Sequence, residues 1–262
     1  MENIAFVVAQ GVATLTLNRP AQKNAMDTAM RAEIGEAVAR VRADRDIRAL
    51  ILAGAGTDFC SGGDLRGIAA AGLDSEGWRN RLQDLHLWLK DLITLDRPVI
   101  AAVDGVAYGA GFSLALTADF VLATPRARFC MSFLRIGGIP DCGAFYTLPR
   151  VVGVQRAKEI MLSTRELDAQ EACRLGIVLE IHSPETLLPR AQALAQSFVQ
   201  APASAVSLTK RALDAALGSD LQTLLEMEAS GQAVAFGTPY HREAVARFLR
   251  KEAALFQWPR HS

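Results

Sequence analysis

Two apolar runs, RALILAG (48–54) and RPVIAAVDG (97–105), constrain the fold more than any other feature of the sequence. Neither run alternates between polar and apolar residues, as a strand with one face in water would, and each ends in glycine. Continuous apolar strands are typical of parallel sheets that helices cover on both faces. A further run within ALTADFVLAT predicts a third buried strand near 119–123. The first 200 residues are therefore predicted to form an α/β fold.

The segments around these strands predict a hairpin and several helices. The β-branched runs at 4–8 and 12–17 are parted by Gly11, which favours a hairpin. Asp27 is placed to cap a helix over 28–43, and a second amphipathic helix is expected over roughly 78–93. From about residue 184 onward the pattern is helical. We expect a core over 1–200 that carries the active site, followed by a helical C-terminal region over 201–262.

The composition, the N-terminal segment and the cysteine spacing argue against several classes of protein. Basic and acidic residues balance at 28 each, so we expect no nucleic-acid partner. The N-terminus lacks the basic segment of a signal peptide, and the uncharged stretch 105–118 is too short to cross a bilayer, so we expect no membrane partner. The cysteines are far apart and no His stands at ligand spacing, which predicts a reduced, cytoplasmic protein without a metal. They are Cys60, Cys130, Cys142 and Cys173.

Two glycine-rich turns follow the predicted strands without matching a nucleotide-binding fingerprint. GAGTDF (54–59) and GAGFSL (109–114) carry Phe59 and Leu114 where a third small residue would be needed. They could simply be tight turns, but both lie where open α/β sheets bind ligands. The N–H of Ala110 at a helix start, and an N–H bared by the glycines of CSGGDL, could converge on one carbonyl oxygen. Two such donors would stabilise an enolate.

A carboxylate stands in the otherwise apolar loop FLRIGGIPDCGAFY (133–146). The neighbours Phe133, Ile139 and Phe145 are expected to wall Asp141 off from water and to raise its pKa. Such a carboxylate could remove a proton and return it to another carbon. Aspartate is also a favoured helix N-cap, so Asp141 could instead cap a helix that starts near Gly143.

Motifs along almost the whole chain resemble, in order and spacing, those of the crotonase superfamily of enoyl-CoA hydratases and isomerases. They are NRPAQKNAM (18–26), FCSGGDL (59–65), RPVIAAVDGVAYGAGFSLALTADFVLAT (97–124), IGGIPDCG (136–143) and FLRKEAALF (248–256). The resemblance implies a spiral of β-β-α units and a C-terminal helical region that forms trimers, often paired into hexamers. It also implies an acyl-CoA thioester substrate, with coenzyme A as part of that substrate and no other cofactor.

The resemblance also implies a role for individual residues. The oxyanion hole would be formed by the N–H groups of Gly63 and Ala110. The residues expected to bind the remainder of the substrate are Ala21, Gln22, Lys23, Ala25, Ser61, Gly62, Asp64, Leu65, Arg66, Gly109, Ser113 and Phe133. Arg66 would serve the nucleotide end, and Arg250 or Lys251 could serve a phosphate. Each of these basic residues could equally be a solvated surface group.

The chain departs from the hydratase pattern at two positions. Ser113 and Phe133 stand where hydratases carry glutamates, and water addition needs two carboxylates. The remaining acid, Asp141 in IPDCG, is similar to the single acid of ring-1,2-epoxyphenylacetyl-CoA and 3-enoyl-CoA isomerases. The resemblance therefore favours an isomerase of fatty acid or phenylacetate metabolism, with Asp141 as acid and base.

Other activities of the same superfamily stay open at this point. An acyl-CoA hydrolase or C–C lyase could use Ser113 or His86 to assist water. A weak hydratase and an inert acyl-CoA-binding protein are further alternatives. The acyl group is not defined by the sequence, although several aromatic residues could line its pocket or simply belong to the core. They are Trp78, Trp88, Phe112, Phe133, Phe145 and Tyr146.

Overall fold

A computed structural model describes residues 1–260 as two β-sheets enclosed by helices. The strands are β1 (Ile4–Ala9), β2 (Val12–Leu17), β3 (Ala49–Gly54), β4 (Val99–Val103), β5 (Val106–Tyr108), β6 (Phe120–Ala123), β7 (Arg128–Cys130), β8 (Glu166–Asp168) and β9 (Glu180–Ile181). The helices are α1 (Thr28–Ala43), α2 (Leu65–Ala70), α3 (Ser75–Ile93), α4 (Ala110–Ala115), α5 (Ala144–Ser163), α6 (Ala169–Arg174), α7 (Pro184–Val199), α8 (Ala203–Ala216), α9 (Leu221–Phe236) and α10 (Pro239–Leu249). Short 3₁₀ helices occupy Pro20–Gln22 and Ser132–Ile136.

The larger sheet has the strand order β1-β2-β3-β4-β6-β9. β1 and β2 form the expected antiparallel hairpin, and every other pair of neighbouring strands is parallel. α7 covers one face, where Leu194 packs in a cluster with Ile51 and Ile100. α1 covers the opposite face through Ile34 and Val38. The prediction of a largely parallel sheet covered on both faces is therefore confirmed.

The helix that Asp27 caps also agrees with its prediction. α1 spans 28–43, and the Asp27 side chain accepts a hydrogen bond of 2.8 Å from the Met30 N–H. This bond satisfies one of the four N–H groups that a helix start leaves without a backbone partner.

A second sheet, with strand order β5-β7-β8, was not foreseen from the sequence. The expected strand 97–105 ends at Val103, and β5 is a separate strand that pairs in parallel with β7. Each strand of this sheet has three residues, which is too short for a hydrophobic period to show. The second sheet matters for the site because α4 begins two residues after β5 ends.

The C-terminal part of the chain is helical, as predicted, from α7 through α10. No residue of α8, α9 or α10 is fully buried within the single chain. Among residues 1–260, no helix is long and apolar enough to span a membrane. The boundary at residue 200 between core and C-terminal region stays a prediction.

Candidate active site

The two glycine-rich segments lie side by side in the structure. Cys60 forms a parallel bridge with Ala107 of β5, and the Tyr108 N–H donates to the Cys60 carbonyl oxygen at 2.9 Å. α4 then packs directly on this strand. A methyl group at Gly111 would lie 2.2 Å from the Cys60 carbonyl oxygen, so only glycine allows this approach.

The N–H groups of Gly63 and Ala110 are available to a ligand. Gly63 forms a parallel bridge with Met26, in which the two flanking residues make the hydrogen bonds: Gly62 accepts from the Met26 N–H and Asp64 donates to the Met26 oxygen. Ala110 is the first residue of α4, where an N–H has no partner within the helix. Within residues 1–260, neither N–H donates a hydrogen bond.

The two segments also come close at these donors. A Cβ on Gly62 would lie 3.6 Å from the Ala110 nitrogen, and 2.9 Å from the Tyr108 oxygen. Gly62 has a φ of +105°, which an L side chain rarely adopts. The local geometry therefore fits the predicted pair of oxyanion donors, whose role stays a prediction.

The segment proposed to bind coenzyme A is held by residues that the sequence analysis did not single out. The fully buried Asn24 side chain donates to the carbonyl oxygens of Ala55 at 2.9 Å and Asp58 at 2.7 Å. Its oxygen accepts from the Arg19 N–H, and the Arg19 guanidinium donates to the Ala25 oxygen at 2.6 Å. An Asn at a left-handed position after a proline turn is the signal that could have indicated this role.

The predicted coenzyme A residues are divided between surface and interior. Ala21, Gln22 and Lys23 are exposed, whereas Ala25 is buried. Ser61 and the exposed Leu65 flank Gly62 and Gly63 in the adjacent loop. These exposed groups form a continuous surface with that loop, since the Ser61 N–H donates to the Lys23 oxygen at 2.9 Å.

The Asp64 carboxylate serves the loop itself. It caps α2 by accepting from the Arg66 and Gly67 N–H groups at 3.1 and 3.3 Å. It also forms an ion pair with Arg19 at 3.1 Å. Hydrogen bonds from these groups lower the pKa of Asp64, which keeps it ionised. The structure shows this carboxylate fixing the loop, and its expected contact with substrate stays a prediction.

The basic residues proposed for the nucleotide end differ in their surroundings. The exposed Arg66 side chain has no ion pair with another described residue, and the same is true of Lys251. Arg250 instead pairs with Glu252 at 2.6 Å and with Glu243 at 3.2 Å. Arg250 is therefore less available to a phosphate than Lys251.

The loop that carries Asp141 packs on α3. A Cβ on Gly143 would lie 3.0 Å from Ile93 Cδ1 and 3.7 Å from Leu89 Cδ2. Gly143 is the N-cap residue of α5, and no side chain accepts a capping hydrogen bond from the first turn of this helix. The alternative that Asp141 caps the helix is therefore wrong. The Oδ1 atom of Asp141 is fully buried and has no hydrogen-bond partner within residues 1–260.

Burial is the main influence on the acidity of this carboxylate. Burial raises the pKa of Asp141 above its ordinary value of 3.8. The thiol of Cys142 and three positively charged or ionisable side chains, Arg31, His86 and Arg81, oppose that rise. Arg31 belongs to α1, and the other two belong to α3. Asp141 is thus less acidic than a solvated aspartate and can hold a proton more readily.

Of the three apolar residues predicted to wall off Asp141, only Phe133 is buried. Phe133 is buried, and its ring lies 3.8 Å from the position that a Gly109 Cβ would occupy. Ile139 and Phe145 are 71% and 59% exposed, so the prediction that they enclose the carboxylate is wrong for the single chain. Between them, Pro140 and Cys142 are buried, and Cys142 has a left-handed φ of +50°.

Ser113, one of the residues expected to bind substrate, lies inside the protein. The side chain is completely buried and donates to the Gly109 carbonyl oxygen at 3.3 Å within its own helix. The hydroxyl is therefore not presented to solvent, and the expected contact of Ser113 with substrate stays a prediction. Gly109 itself donates its N–H to the Cys130 oxygen at 2.8 Å, which fixes the start of α4.

The aromatic residues proposed for an acyl pocket lie in different environments. Phe112 is fully buried against Phe129, with ring centroids 5.2 Å apart, and belongs to the core. Trp88 packs over Gly35 between α1 and α3. Trp78 lies beneath the Arg81 guanidinium, and the Tyr146 hydroxyl donates to the Asp214 oxygen at 3.2 Å.

Comparisons with known proteins identify the family of this chain. Residues 8–259 match the family model described as enoyl-CoA hydratase/isomerase. The chain is 38% identical over 258 residues to the 1,2-epoxyphenylacetyl-CoA isomerase of Escherichia coli K12, with 98% of each chain covered. It is 37% identical to a probable enoyl-CoA hydratase of Rhodobacter capsulatus, with 97% of each covered. A solved enoyl-CoA hydratase/isomerase from Cupriavidus metallidurans CH34 superposes with a TM-score of 0.94 at 48% identity, covering 100% of this chain and 99% of that one.

Proposed function

This chain belongs to the enoyl-CoA hydratase/isomerase family, whose members act on acyl-CoA thioesters, and on that premise we propose that it is an acyl-CoA isomerase. The crotonase fold expected from the sequence motifs is confirmed by the family match and the superposition. The proposal concerns the reaction: a proton shift through a thioester enolate, which moves a double bond or rearranges a ring epoxide.

One observation carries the proposal. The Oδ1 atom of Asp141 is buried and has no hydrogen-bond partner within residues 1–260, which supports a role for this carboxylate in proton transfer. The free N–H groups of Gly63 and Ala110 support the second requirement, a pair of donors for the thioester oxygen. An isomerase needs one group that removes a proton from a carbon near the thioester and returns it to another carbon. A single carboxylate can do both, because it becomes the acid after acting as the base.

The remaining groups have complementary tasks in the proposed reaction. The Gly63 and Ala110 N–H groups would stabilise the oxygen of the enolate, where removal of one donor typically costs about 3 kcal/mol of the barrier. Phe133 would exclude water from the acyl end, so that the proton stays on Asp141 until it is returned. The raised pKa of Asp141 brings its basicity closer to the operating pH.

Two observations support the proposal of isomerisation over hydration and hydrolysis. Hydratases carry a glutamate at each of two positions where this chain has Ser113 and Phe133. Both residues are buried here, and neither supplies a carboxylate for water addition. Ser113, the candidate for assisting hydrolysis, is engaged with the Gly109 oxygen. The similarity to a probable hydratase nevertheless makes water addition an outcome that the experiment must detect.

The test measures isomerisation of 3-enoyl-CoA and of a phenylacetyl-CoA ring epoxide in deuterated buffer. Asp141→Asn should lower turnover by about 10²–10⁴-fold, because the acid and base are removed while the side-chain shape is kept. Asp84→Asn, at an exposed aspartate of α3, is the matched control and should retain turnover. Release of free CoA or formation of a hydroxyacyl-CoA would identify hydrolysis or hydration instead, and wild-type turnover by the Asp141 variant would rule out the proposed mechanism.

A further inference from the structure

The backbone of the loop 60–64 is held on both sides of Gly63. The N–H groups of Cys60, Ser61 and Asp64 donate to backbone oxygens of neighbouring segments. The Gly62 N–H donates instead to a side chain, the Cys60 sulfur, at 3.4 Å. Within residues 1–260, this leaves the Gly63 N–H as the donor of the loop that is available to a ligand.

The Cys60 thiol contacts both peptide groups of Gly62. Its sulfur accepts from the Gly62 N–H and also lies 3.8 Å from the Gly62 carbonyl oxygen, within reach of a weak S–H hydrogen bond. That oxygen belongs to the same peptide unit as the Gly63 N–H, and it accepts from the Met26 N–H at 2.8 Å. Because a peptide unit is planar, the groups that hold the Gly62 oxygen also set the direction of the Gly63 N–H.

Gly62 is a residue whose conformation needs such a restraint. Its φ of +105° is open to glycine, which is free to leave it for many other conformations. The Gly62 N–H is buried, so without the thiol it would have no partner, which is costly, and the loop would turn to find one. A rotation at Gly62 would turn the Gly63 N–H away from the neighbouring Ala110 N–H.

The thiol suits this task because it stays protonated. Cys60 is completely buried, and burial raises the pKa of its thiol to about 12. A neutral thiol can accept a hydrogen bond from one group and donate to another. The Cys60 carbonyl oxygen also accepts from the Tyr108 N–H at 2.9 Å, two residues before Ala110. Cys60 therefore contacts the segments of both oxyanion donors.

We propose that Cys60 is a positioning residue for the oxyanion hole. Its thiol holds the peptide unit between Gly62 and Gly63, so that the Gly63 N–H points at the thioester oxygen. This inference rests on the proposed function, since it assumes that Gly63 and Ala110 stabilise an enolate. Serine should be able to replace Cys60, because a hydroxyl also accepts and donates, whereas alanine can do neither.

The first test compares the isomerisation of 3-enoyl-CoA by Cys60→Ala and Cys60→Ser. Cys60→Ala should lower kcat by about 10–100-fold, less than the roughly 10²–10³-fold typical of losing an oxyanion donor, and should change KM by less than about threefold. The loss falls on kcat because the donor acts most strongly when charge develops on the oxygen. Cys60→Ser should keep kcat within about threefold of the wild type. Cys173→Ala, the same change at a cysteine of α6, is the matched control and should alter neither constant.

A second measurement follows the thioester carbonyl without turnover. Difference infrared spectra are recorded for bound hexanoyl-CoA that is isotopically labelled at the thioester carbon. The wild type should move the carbonyl stretch to lower wavenumber, because hydrogen bonds to the oxygen weaken the C=O bond. Cys60→Ala should lose about half of that shift, since one of two donors is misdirected, and Cys60→Ser should keep it. A purely structural role for Cys60 would lower the free energy of unfolding without moving this band.

The S–H stretch of Cys60 gives a third test, which does not require Cys60→Ala to fold. Its band is identified by its loss in Cys60→Ser. When the Gly63 N–H donates to a bound thioester, the Gly62 oxygen becomes a stronger acceptor, because hydrogen bonds in a chain polarise one another. The S–H band should therefore move to lower wavenumber when hexanoyl-CoA binds. A band that does not respond would overturn the proposal.

The outcomes separate this inference from the proposed function. Wild-type kcat and carbonyl shift in Cys60→Ala would overturn the role of Cys60 and leave the isomerase proposal intact. A Cys60→Ser protein as impaired as Cys60→Ala would also overturn it, because hydrogen bonding would not be what the thiol supplies. A wild type that shifts the carbonyl band but does not isomerise 3-enoyl-CoA would refute the isomerase reaction, and the spectra of the variants would still decide the role of Cys60.

Discussion

At the scale of single residues, the Asp141 carboxylate is a feature that costs stability. A buried carboxylate oxygen without a partner favours the protonated form, which is why burial raises its pKa above 3.8. The folded state binds this proton more tightly than the unfolded chain does. The contribution of Asp141 to the free energy of unfolding is therefore fully present below about pH 4, and it is lost as the pH rises through the pKa of the folded state. Such a group is retained in a protein when its basicity is used.

Asp141→Asn should therefore stabilise the protein while it removes activity. At neutral pH we expect the free energy of unfolding to rise by about 1 kcal/mol, because the amide carries no charge to desolvate. The gain should shrink as the pH falls toward 4, where wild-type Asp141 becomes protonated. Urea unfolding at several pH values measures it, with Asp84→Asn as the control. A variant that is less stable than wild type at pH 7 would show that the carboxylate has a structural partner.

Gly111 is a second residue whose identity is fixed by its surroundings. Gly111→Ala would place a methyl group 2.2 Å from the Cys60 oxygen and separate α4 from the loop of Gly63. We expect a loss of about 3 kcal/mol of stability and of most of the activity, because both oxyanion donors depend on this contact.

Gly67→Ala is the matched control for this prediction. A Cβ at that position of α2 has its nearest neighbour 4.0 Å away, so the substitution should leave stability unchanged or slightly higher. Thermal unfolding of both variants gives the comparison. A stable and active Gly111→Ala protein would mean that the two segments need not touch.

At the scale of elements, the segment before α1 is held by one buried side chain. Asn24 uses both its donors on the Ala55 and Asp58 oxygens and its acceptor on the Arg19 N–H. Asn24→Ala would leave those backbone groups without a partner, and we expect the free energy of unfolding to fall by about 2–3 kcal/mol. Asn80→Ala, at an exposed position of α3, should change it by less than about 0.5 kcal/mol.

Binding measurements separate this effect from the site itself. If the segment binds coenzyme A, Asn24→Ala should also weaken the affinity for free CoA, because Lys23 and Ser61 are joined through the same loop. Calorimetry with free CoA measures this loss. An unchanged affinity in a destabilised variant would place the coenzyme A site elsewhere.

The elements that could be predicted from the sequence have a hydrophobic pattern that continues over many residues, or a capping residue at one end. α1 begins after Asp27 as expected, and β3 and β4 follow the apolar runs. The second sheet was missed because its three-residue strands, such as β5, carry no period. Its existence depends on pairing across the chain, which local sequence does not encode.

The candidate site could also be predicted only in part. The Gly63 and Ala110 loops and Asp141 were identified because motifs carry them. The environment of Asp141 was not: Ile139 and Phe145 point outward, although they are its neighbours in sequence. The charges that oppose the rise in the pKa of Asp141 were not foreseen either, because Arg31, His86 and Arg81 belong to helices more than fifty residues earlier in the chain.

At the scale of the whole molecule, the C-terminal helices leave large apolar side chains in contact with solvent. In α10, Phe248 is 81% exposed and Leu249 is 75% exposed. Leu217 and Leu221, at the junction of α8 and α9, are 71% and 72% exposed. Large exposed apolar groups on consecutive helices that pack on one another are typical of a protein interface. Trimers or hexamers, implied by the crotonase resemblance, would bury them.

We therefore expect the protein to be a trimer or a dimer of trimers in solution, as measured by light scattering after gel filtration. Phe248→Glu combined with Leu249→Glu should reduce the mass toward that of a monomer, because burying two carboxylates at an interface is costly. Leu162→Glu, at a 68% exposed leucine of α5, tests whether any added charge has this effect and should leave the mass unchanged. A wild-type protein that elutes as a monomer would show that these helices are not an assembly surface. If the double variant is a folded monomer, its activity on 3-enoyl-CoA would then show whether the exposed Ile139 and Phe145 need a neighbouring subunit to complete the wall around Asp141.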